Sequence, residues 1–257
     1  MVADKSFVHL HNHTEFSMLD GAARIKPLVE KASELGMPAI AMSDHGNTHG
    51  AYEFWKQATA AGIKPIIGME AYLAPGSRLE KSKVRWADGG DDDVSGGGAF
   101  SHLTMWATDN ASMNNLFKLS SEAYLSGYYF KPRIDRELLG QYGKGLIGTT
   151  GCPGGEVQTR LRLGQYDEAL KTAAEFRDIF GKENYFVEVM DHALEIEKRV
   201  RDELLRLAKD LGLPLVGTND LHYVHKEDSV AHEALLCVQT GTNLDDPKRF
   251  KFESQEF

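Results

Sequence analysis

Short apolar runs separated by amphipathic stretches recur along this chain, and that alternation limits the folds open to it. The runs 37–42, 64–73, 103–107, 145–149, 185–189 and 213–218 read as strands, with a shorter β-favouring run at 6–8 ahead of them. Between them, apolar residues at helical spacing predict helices over about 22–35, 51–61, 113–124, 156–163, 167–180, 194–211 and 229–238. The first places Ile25, Leu28, Val29, Ala32 and Leu35 on one stripe and ends at Gly36. Strands that alternate with helices pair in parallel, because the crossover helix returns the chain to the same end of the sheet. Seven such strands in 257 residues predict one α/β domain, a distorted seven-stranded (β/α)7 TIM-like barrel. The segment 76–99, with Gly89-Gly-Asp-Asp-Asp93 and Gly96-Gly-Gly98, cannot build a core and is expected to be a flexible loop.

In such barrels the functional residues sit just past the carboxyl ends of the strands. Here the first run leads into His9-Leu-His11-Asn-His13, with Asp20 a short turn later. Residues two apart on a strand share a side, so two of the three imidazoles converge, but parity does not choose between His9/His11 and His11/His13. Taken alone, the stretch reads equally as a histidine-rich edge strand facing water. The second run, however, ends in Asp44-His45, the third carries Glu70, and the fifth is followed by Cys152. The sixth leads to Asp191-His192 and the seventh to Asp220 and His222. Scattered surface histidines would not gather at one end of the strands. His102 is the exception, because it precedes its strand. Either 103–107 runs differently from its neighbours or its boundary is misplaced.

Histidines with Asp and Glu form a ligand set suited to zinc, manganese or iron. The groups exceed what one ion needs, which implies a multinuclear site able to activate water and to hold both oxygens of a phosphate ester. A closed structural zinc site would favour several cysteines at short spacing, and only Cys152 and Cys237 occur. Two cysteines suggest no disulfide framework, which fits a cytoplasmic protein. No signal peptide or membrane span is recognisable, so no membrane partner is expected. The net charge is −9, from 29 basic and 38 acidic residues. Proteins that grip nucleic acid by its backbone are usually basic, so a nucleic-acid role here must rest on metal ions or on missing neighbours. The abrupt aromatic-rich end at 250–257 reads as a cut inside a longer protein.

The motifs His11-Asn-His13-Thr14, Ser43-Asp44-His45-Gly46-Asn47, Gly68-Met-Glu70-Ala-Tyr72, His102-Leu-Thr104, Thr150-Gly-Cys152-Pro153 and Asn219-Asp220-Leu-His222-Tyr223 resemble the PHP (polymerase and histidinol phosphatase) domain. Lys131-Pro-Arg133-Ile-Asp135, Gly155-Glu-Val-Gln158 and His232-Glu-Ala-Leu-Leu-Cys237 are similar to its branch in bacterial DNA polymerase III alpha subunits. The resemblance spans nearly the whole chain outside 76–99, and favours His11 and His13 over His9. It implies a metal cluster at the C-terminal ends of the strands, with up to three divalent ions (zinc, manganese or iron). His11, His13, Glu70 and Asp220 would hold the first ion. Asp20, His45 and His222 would hold the second, and His102 and Cys152 the third, with Glu70 bridging. Of these, His11, His13, Asp20, His45, Glu70, Asp220 and His222 would carry the catalysis.

In this branch a full ligand set implies a 3′→5′ proofreading exonuclease whose partners are a DNA 3′ end, the remaining polymerase domains and replisome components such as a sliding clamp. Two other readings stand beside it: a mainly structural polymerase domain that docks partners, and a small-molecule phosphatase or pyrophosphatase. Among the remaining residues, His192 reads as a substrate contact or an acid, or more readily as a loop hydrogen-bonder, while His49, His225 and His232 read as structural or exposed. The turn Gly151–Gly155 reads either as a phosphate cradle or as a support for Cys152. Lys131, Arg133, Arg160 and Arg162 are candidates for DNA-backbone contacts. Tyr128-Tyr-Phe130 reads as core more readily than as a base-stacking surface, and Cys237 as core.

Overall fold

The apolar runs form strands and the amphipathic stretches form helices in a computed structural model that describes residues 7–86 and 96–252. In chain order the elements are α1 (Ile25–Glu34), β1 (Ala39–Met42), α2 (Ala51–Ala60), β2 (Lys64–Leu73), β3 (Ser101–Ala107), α3 (Asn110–Leu125), β4 (Arg133–Ile134), α4 (Arg136–Tyr142) and β5 (Leu146–Thr149). They continue as α5 (Glu156–Arg162), α6 (Tyr166–Phe180), β6 (Tyr185–Val189), α7 (Glu195–Leu211), β7 (Leu215–Gly217) and α8 (Ser229–Thr240). The helices follow their apolar stripes. On α7, Val200, Leu204, Leu207 and Ala208 are buried at helical spacing, and Gly212, with φ +62°, ends the helix in the left-handed conformation. On α3, Asp109 and Ser112 form a reciprocal capping box that satisfies the first-turn amides.

The seven strands run β1-β2-β3-β5-β6-β7, with β4 paired to the end of β2. The β1–β2, β2–β4, β5–β6 and β6–β7 pairs are parallel. Strand β3 is antiparallel to both β2 and β5. That reversal accounts for His102. The boundary shifts as well: the strand begins at Ser101, so His102 lies inside it, and because the strand runs backwards His102 sits at the end where its neighbours finish, with its backbone opposite Tyr72.

Two expectations change. No strand forms at Phe7-Val8, and Ser6 lies outside the described residues. The seventh strand is instead β4, two residues long and too short to leave a periodic signal. Among the described residues β1 and β7 share no ladder, so the sheet is an open, curled path rather than the expected ring of seven ladders. The segment 9–14 lies between those edges. It accepts hydrogen bonds at His9 O and Asn12 O from Ala41 and Ser43, and exchanges His13 N→Leu221 O (2.7 Å) and Leu221 N→His11 O (3.1 Å) on the other side. Of the expected loop, 87–95, including Gly89-Gly-Asp-Asp-Asp93, lies outside the described residues.

Arg133 is fully buried and donates to the carbonyls of Gly127, Ala99, Arg78 and Glu80. It ties β4 to both flanks of the 87–95 segment and faces away from solvent, so it is no DNA-backbone contact. No described helix is long and apolar enough to cross a membrane.

Candidate metal centre

The chain leaves the 9–14 segment at Thr14 and returns to it at Gly21, and the tight turn between them carries Asp20 back beside His13. A side chain at Gly21 would place its Cβ 2.1 Å from Thr14 O, so only glycine admits this approach. Leu19, at φ +65°, takes up the turn's left-handed step. Asp220, at φ +48°, is a second non-glycine residue held in the left-handed region, here three residues past the end of β7.

All nine expected ligands meet in one place. Glu70, 1% exposed, is the hub. Its Oε1 lies 3.3 Å from His11 Nε2, 3.5 Å from His102 Nδ1 and 3.2 Å from Cys152 Sγ. Its Oε2 lies 2.9 Å from His45 Nδ1 and 3.5 Å from His13 Nε2. Asp220 Oδ1 stands 3.4 Å from His11 Nε2 and 3.1 Å from His13 Nε2. Asp20 Oδ2 sits between His45 Nε2 (2.7 Å) and His222 Nε2 (3.2 Å). Among the described residues three sets are compact enough to hold an ion: His13/Asp20/His45/His222, His11/His13/Glu70 and His45/Glu70/His102. The sets overlap more than three separate sites would, since His13 and His45 each belong to two of them.

The donor set fits divalent cations. His11 Nε2, His13 Nε2, His45 Nδ1, Glu70 Oε2 and Asp220 Oδ1 are buried and face one another rather than any hydrogen-bond partner outside the cluster, with His45 Nδ1 2.9 Å from Glu70 Oε2 and Asp220 Oδ1 3.1 Å from His13 Nε2. Buried polar atoms are rarely left so, and five of the fifteen such atoms among the described residues meet in this one cluster. Two of these histidines are held by their other nitrogen, His11 Nδ1 by Glu188 (2.8 Å) and His13 Nδ1 by Ser17 (2.9 Å), while His45 Nε2 faces Asp20 within the same ion-sized group. His222 Nδ1 is held by the Asp220 carbonyl at 2.7 Å. A ring fixed through one nitrogen presents the other with a defined direction and tautomer, the usual arrangement of metal-ligating histidines.

Charge states follow the packing. Burial, with His45 and His222 alongside, holds the His13 imidazole down to about 3, so it is neutral and available to an ion. His11 is buried too, yet the carboxylates of Asp220, Glu188 and Glu70 outweigh the desolvation and raise it well above the ordinary value. His45 is raised despite burial by Tyr72, Glu70 and Asp20, and His222 despite burial by Asp20 and Asp220. Burial, then Glu70 and Asp220, keep the Cys152 thiol protonated, and it donates to Glu70.

Two supporting carboxylates were not singled out from the sequence as part of the site. Glu188 lies mid-strand in β6, fully buried, and accepts from Thr149 and Thr218 as well as facing His11. Its signal was a charged residue inside the apolar run Tyr185-Phe-Val-Glu-Val189. Asp44, noted only as the neighbour of His45, binds Thr14 N, Thr14 Oγ1 and Ser17 Oγ and so fixes the turn beneath His13. Glu188→Gln is expected to weaken metal binding about 10- to 100-fold while leaving every expected ligand in place, measured by competition with a chromophoric chelator.

The other candidates resolve into structure. His9 packs edge-on against Phe7 and belongs to none of the ion-sized groups. His192 is buried and its Nδ1 faces Glu197 at the start of α7, which favours the loop reading. His232, 1% exposed, reaches the Asp20 carbonyl at 3.0 Å and supports the turn that carries that ligand. Gly155 N donates to Cys152 O, so the glycine-rich segment is a closed turn under Cys152 rather than an open cradle. Arg160 lies over Trp86, and Arg162 is buried against Pro153 O and Thr159, so neither presents itself to a DNA backbone.

The PHP domain family model matches residues 9–192. The alpha subunit of DNA polymerase III from Mycobacterium tuberculosis is 57% identical over 258 residues, covering 99% of this chain and 22% of that protein. The Treponema pallidum subunit is 46% identical over 256 residues, covering 100% of this chain and 21% of that protein. The chain thus spans about a fifth of the length of the curated relatives it matches. Among solved structures, histidinol phosphate phosphatase from Lactococcus lactis, complexed with zinc, L-histidinol and phosphate, superposes with a TM-score of 0.45 at 14% identity, over 92% of this chain and 94% of that one.

Proposed function

The chain belongs to the PHP domain family, and on that premise we propose that it is a metal-dependent phosphodiester hydrolase that removes nucleotides from a DNA 3′ end. It would act as the proofreading 3′→5′ exonuclease of a replicative DNA polymerase III alpha subunit, beside the other polymerase domains and, through them, a sliding clamp. Its scaffold would be the family's distorted seven-stranded barrel, with the 9–14 segment as the seam between β1 and β7. The observation that carries the reading is the convergence of five buried nitrogen and oxygen atoms of His11, His13, His45, Glu70 and Asp220 on one another at the ends of the strands, with no hydrogen-bond partner outside the cluster.

His11, His13, Glu70 and Asp220 would hold one ion, Asp20, His45 and His222 a second, and His102 and Cys152 a third with Glu70 bridging. Bound zinc, manganese or iron would supply Lewis-acid chemistry that activates a water and neutralises charge on the scissile phosphate. The protein's own part is positional and electrostatic. Glu188, Ser17 and the Asp220 carbonyl fix the rings of His11, His13 and His222. Burial keeps bulk water from the hub carboxylate Glu70, so the charges there act in a low dielectric. The carboxylates of Asp20, Glu70 and Asp220 are each held below the usual range despite burial, Asp20 by His222, Glu70 by His102 and Asp220 by His11, and stay anionic.

The test is release of nucleotides from a 3′-mismatched primer by the metal-loaded chain, beside Asp220→Asn. Cleavage by the unsubstituted chain, abolished by a chelator and by Asp220→Asn, is expected. An intact primer in the presence of stoichiometric bound metal would remove the exonuclease reading and leave the structural one. Turnover of a phosphomonoester with the primer untouched would turn the assignment to a small-molecule phosphatase.

A further inference from the structure

An exposed aromatic turn stands beside the metal centre. After α3 the chain folds back on itself through Tyr128-Tyr-Phe130-Lys131, closed by Tyr129 N→Lys131 O at 3.0 Å, and enters β4. Tyr128-Tyr-Phe130 read as core from sequence, yet Phe130 is 59% exposed and Tyr128 54% exposed. Phe130 also sits at φ +61°, a backbone conformation bulky residues avoid. The Phe130 ring meets Tyr129 edge-on at 4.5 Å and is otherwise largely in solvent, and strain of this kind concentrates where ligands bind.

The turn is connected to the site. Tyr72 stacks on the ligand His45 with ring centroids 5.4 Å apart and planes 17° apart. Lys131 Nζ lies 5.4 Å above the Tyr72 ring, and Lys83 Nζ 4.8 Å above Phe130. Tyr124, also exposed, bridges outward to Tyr128 at 6.5 Å. In a chain of net charge −9, ammonium groups interleaved with aromatic rings on the approach to the metal centre are a local reversal of sign. Exposed rings with cations beside them suit the alternation of bases and phosphates in a single strand. A base-paired end offers such a surface only the outer face of its terminal pair, where an unpaired tail offers successive bases.

We propose that Tyr128 and Phe130, with Lys83 and Lys131, form a stacking platform that receives the unpaired nucleotides of a 3′ tail and leads them past Tyr72 to the metal centre. This rests on reading that centre as one that acts on DNA. It makes the platform the selector for frayed over paired ends.

The test is binding of a short fluorescein-labelled oligothymidylate by anisotropy, in chelator so that nothing is cleaved, against a blunt duplex of the same length. The unsubstituted chain should prefer the single strand. Phe130→Gly and Tyr128→Ala should each weaken it by about tenfold or more, and Phe130→Trp should retain it. Because glycine relieves the left-handed backbone, Phe130→Gly should melt no lower than the unsubstituted chain, a result a packing role for the ring would not give. Unchanged oligothymidylate binding in both variants overturns the platform, as does a chain with no single-strand affinity. A dimer that Phe130→Gly splits, with no DNA bound, would make the turn a protein interface and also overturn it. Mismatched-primer cleavage is read separately. Cleavage with variant-insensitive binding leaves the hydrolase and removes the platform. Variant-sensitive binding without cleavage does the reverse.

Discussion

Glu70→Gln is expected to lose bound metal and hydrolysis together, and by more than the roughly 100-fold that residues merely orienting ligands command. The reason is geometric. His11, His13, His45, His102 and Cys152 all present an atom within 3.5 Å of its two oxygens. Glutamine keeps the volume but replaces one acceptor oxygen with an NH2 donor and removes the charge. A cation entering the cluster would meet one fewer anion in a site already shielded from solvent. The metal-free protein is affected as well, because breaking a buried ionic cluster costs about 3–5 kcal/mol when one partner is removed. An isosteric amide should fall below that. The check is elemental analysis after dialysis, beside a melting curve. A folded Glu70→Gln protein that retains its full metal complement would show that Glu70 is packing rather than the hub.

What the sequence made legible follows from which signals are local. Most of the candidate ligands could be read because they fall at the end of an apolar run, although Glu70 lies inside its run and His102 ahead of it, and such runs leave a visible period: β1, β2, β5, β6 and β7 sit inside the expected spans, while β3 begins two residues earlier than expected, at Ser101. The antiparallel course of β3 could not be read, since a strand's own pattern carries no direction. It was foreshadowed only by His102 falling on the wrong side of its strand. Strand β4 was missed because two residues have no period. Tyr128 and Phe130 were misjudged because composition reports that a ring is apolar, while exposure depends on a left-handed turn set by the Tyr129–Lys131 hydrogen bond. Arg133 fails in the opposite sense. A guanidinium reads as surface charge until four carbonyls converge on it from segments as far apart in sequence as Arg78 and Gly127. Glu188 was hidden for a similar reason, because the partner that gives it meaning, His11, is 177 positions away.

Metal binding is expected to release protons and to weaken steeply on acidification, with the dependence continuing through neutral pH. His11 and His45 are raised well above the ordinary imidazole value of 6.5, and His222 is raised too. A raised imidazole is protonated in the metal-free protein below its shifted value, and an ion can take its lone pair only by expelling that proton. Affinity therefore rises with pH and falls as pH drops, by about tenfold per pH unit for each proton displaced. The Cys152 thiol, raised by burial and by Glu70, acts in the same direction. His13, held down to about 3, and the lowered carboxylates of Asp20, Glu70 and Asp220 release none above that range. Titrating zinc calorimetrically in two buffers of different ionisation enthalpy gives the proton count directly, and more than one proton per cluster is expected at neutral pH. Heats that do not depend on the buffer would contradict the charge states derived for His11 and His45. Glu188→Gln sharpens the result, because it removes one of the carboxylates that raise His11. That variant should bind metal more weakly and yet release fewer protons, a pairing that general loss of structure would not produce.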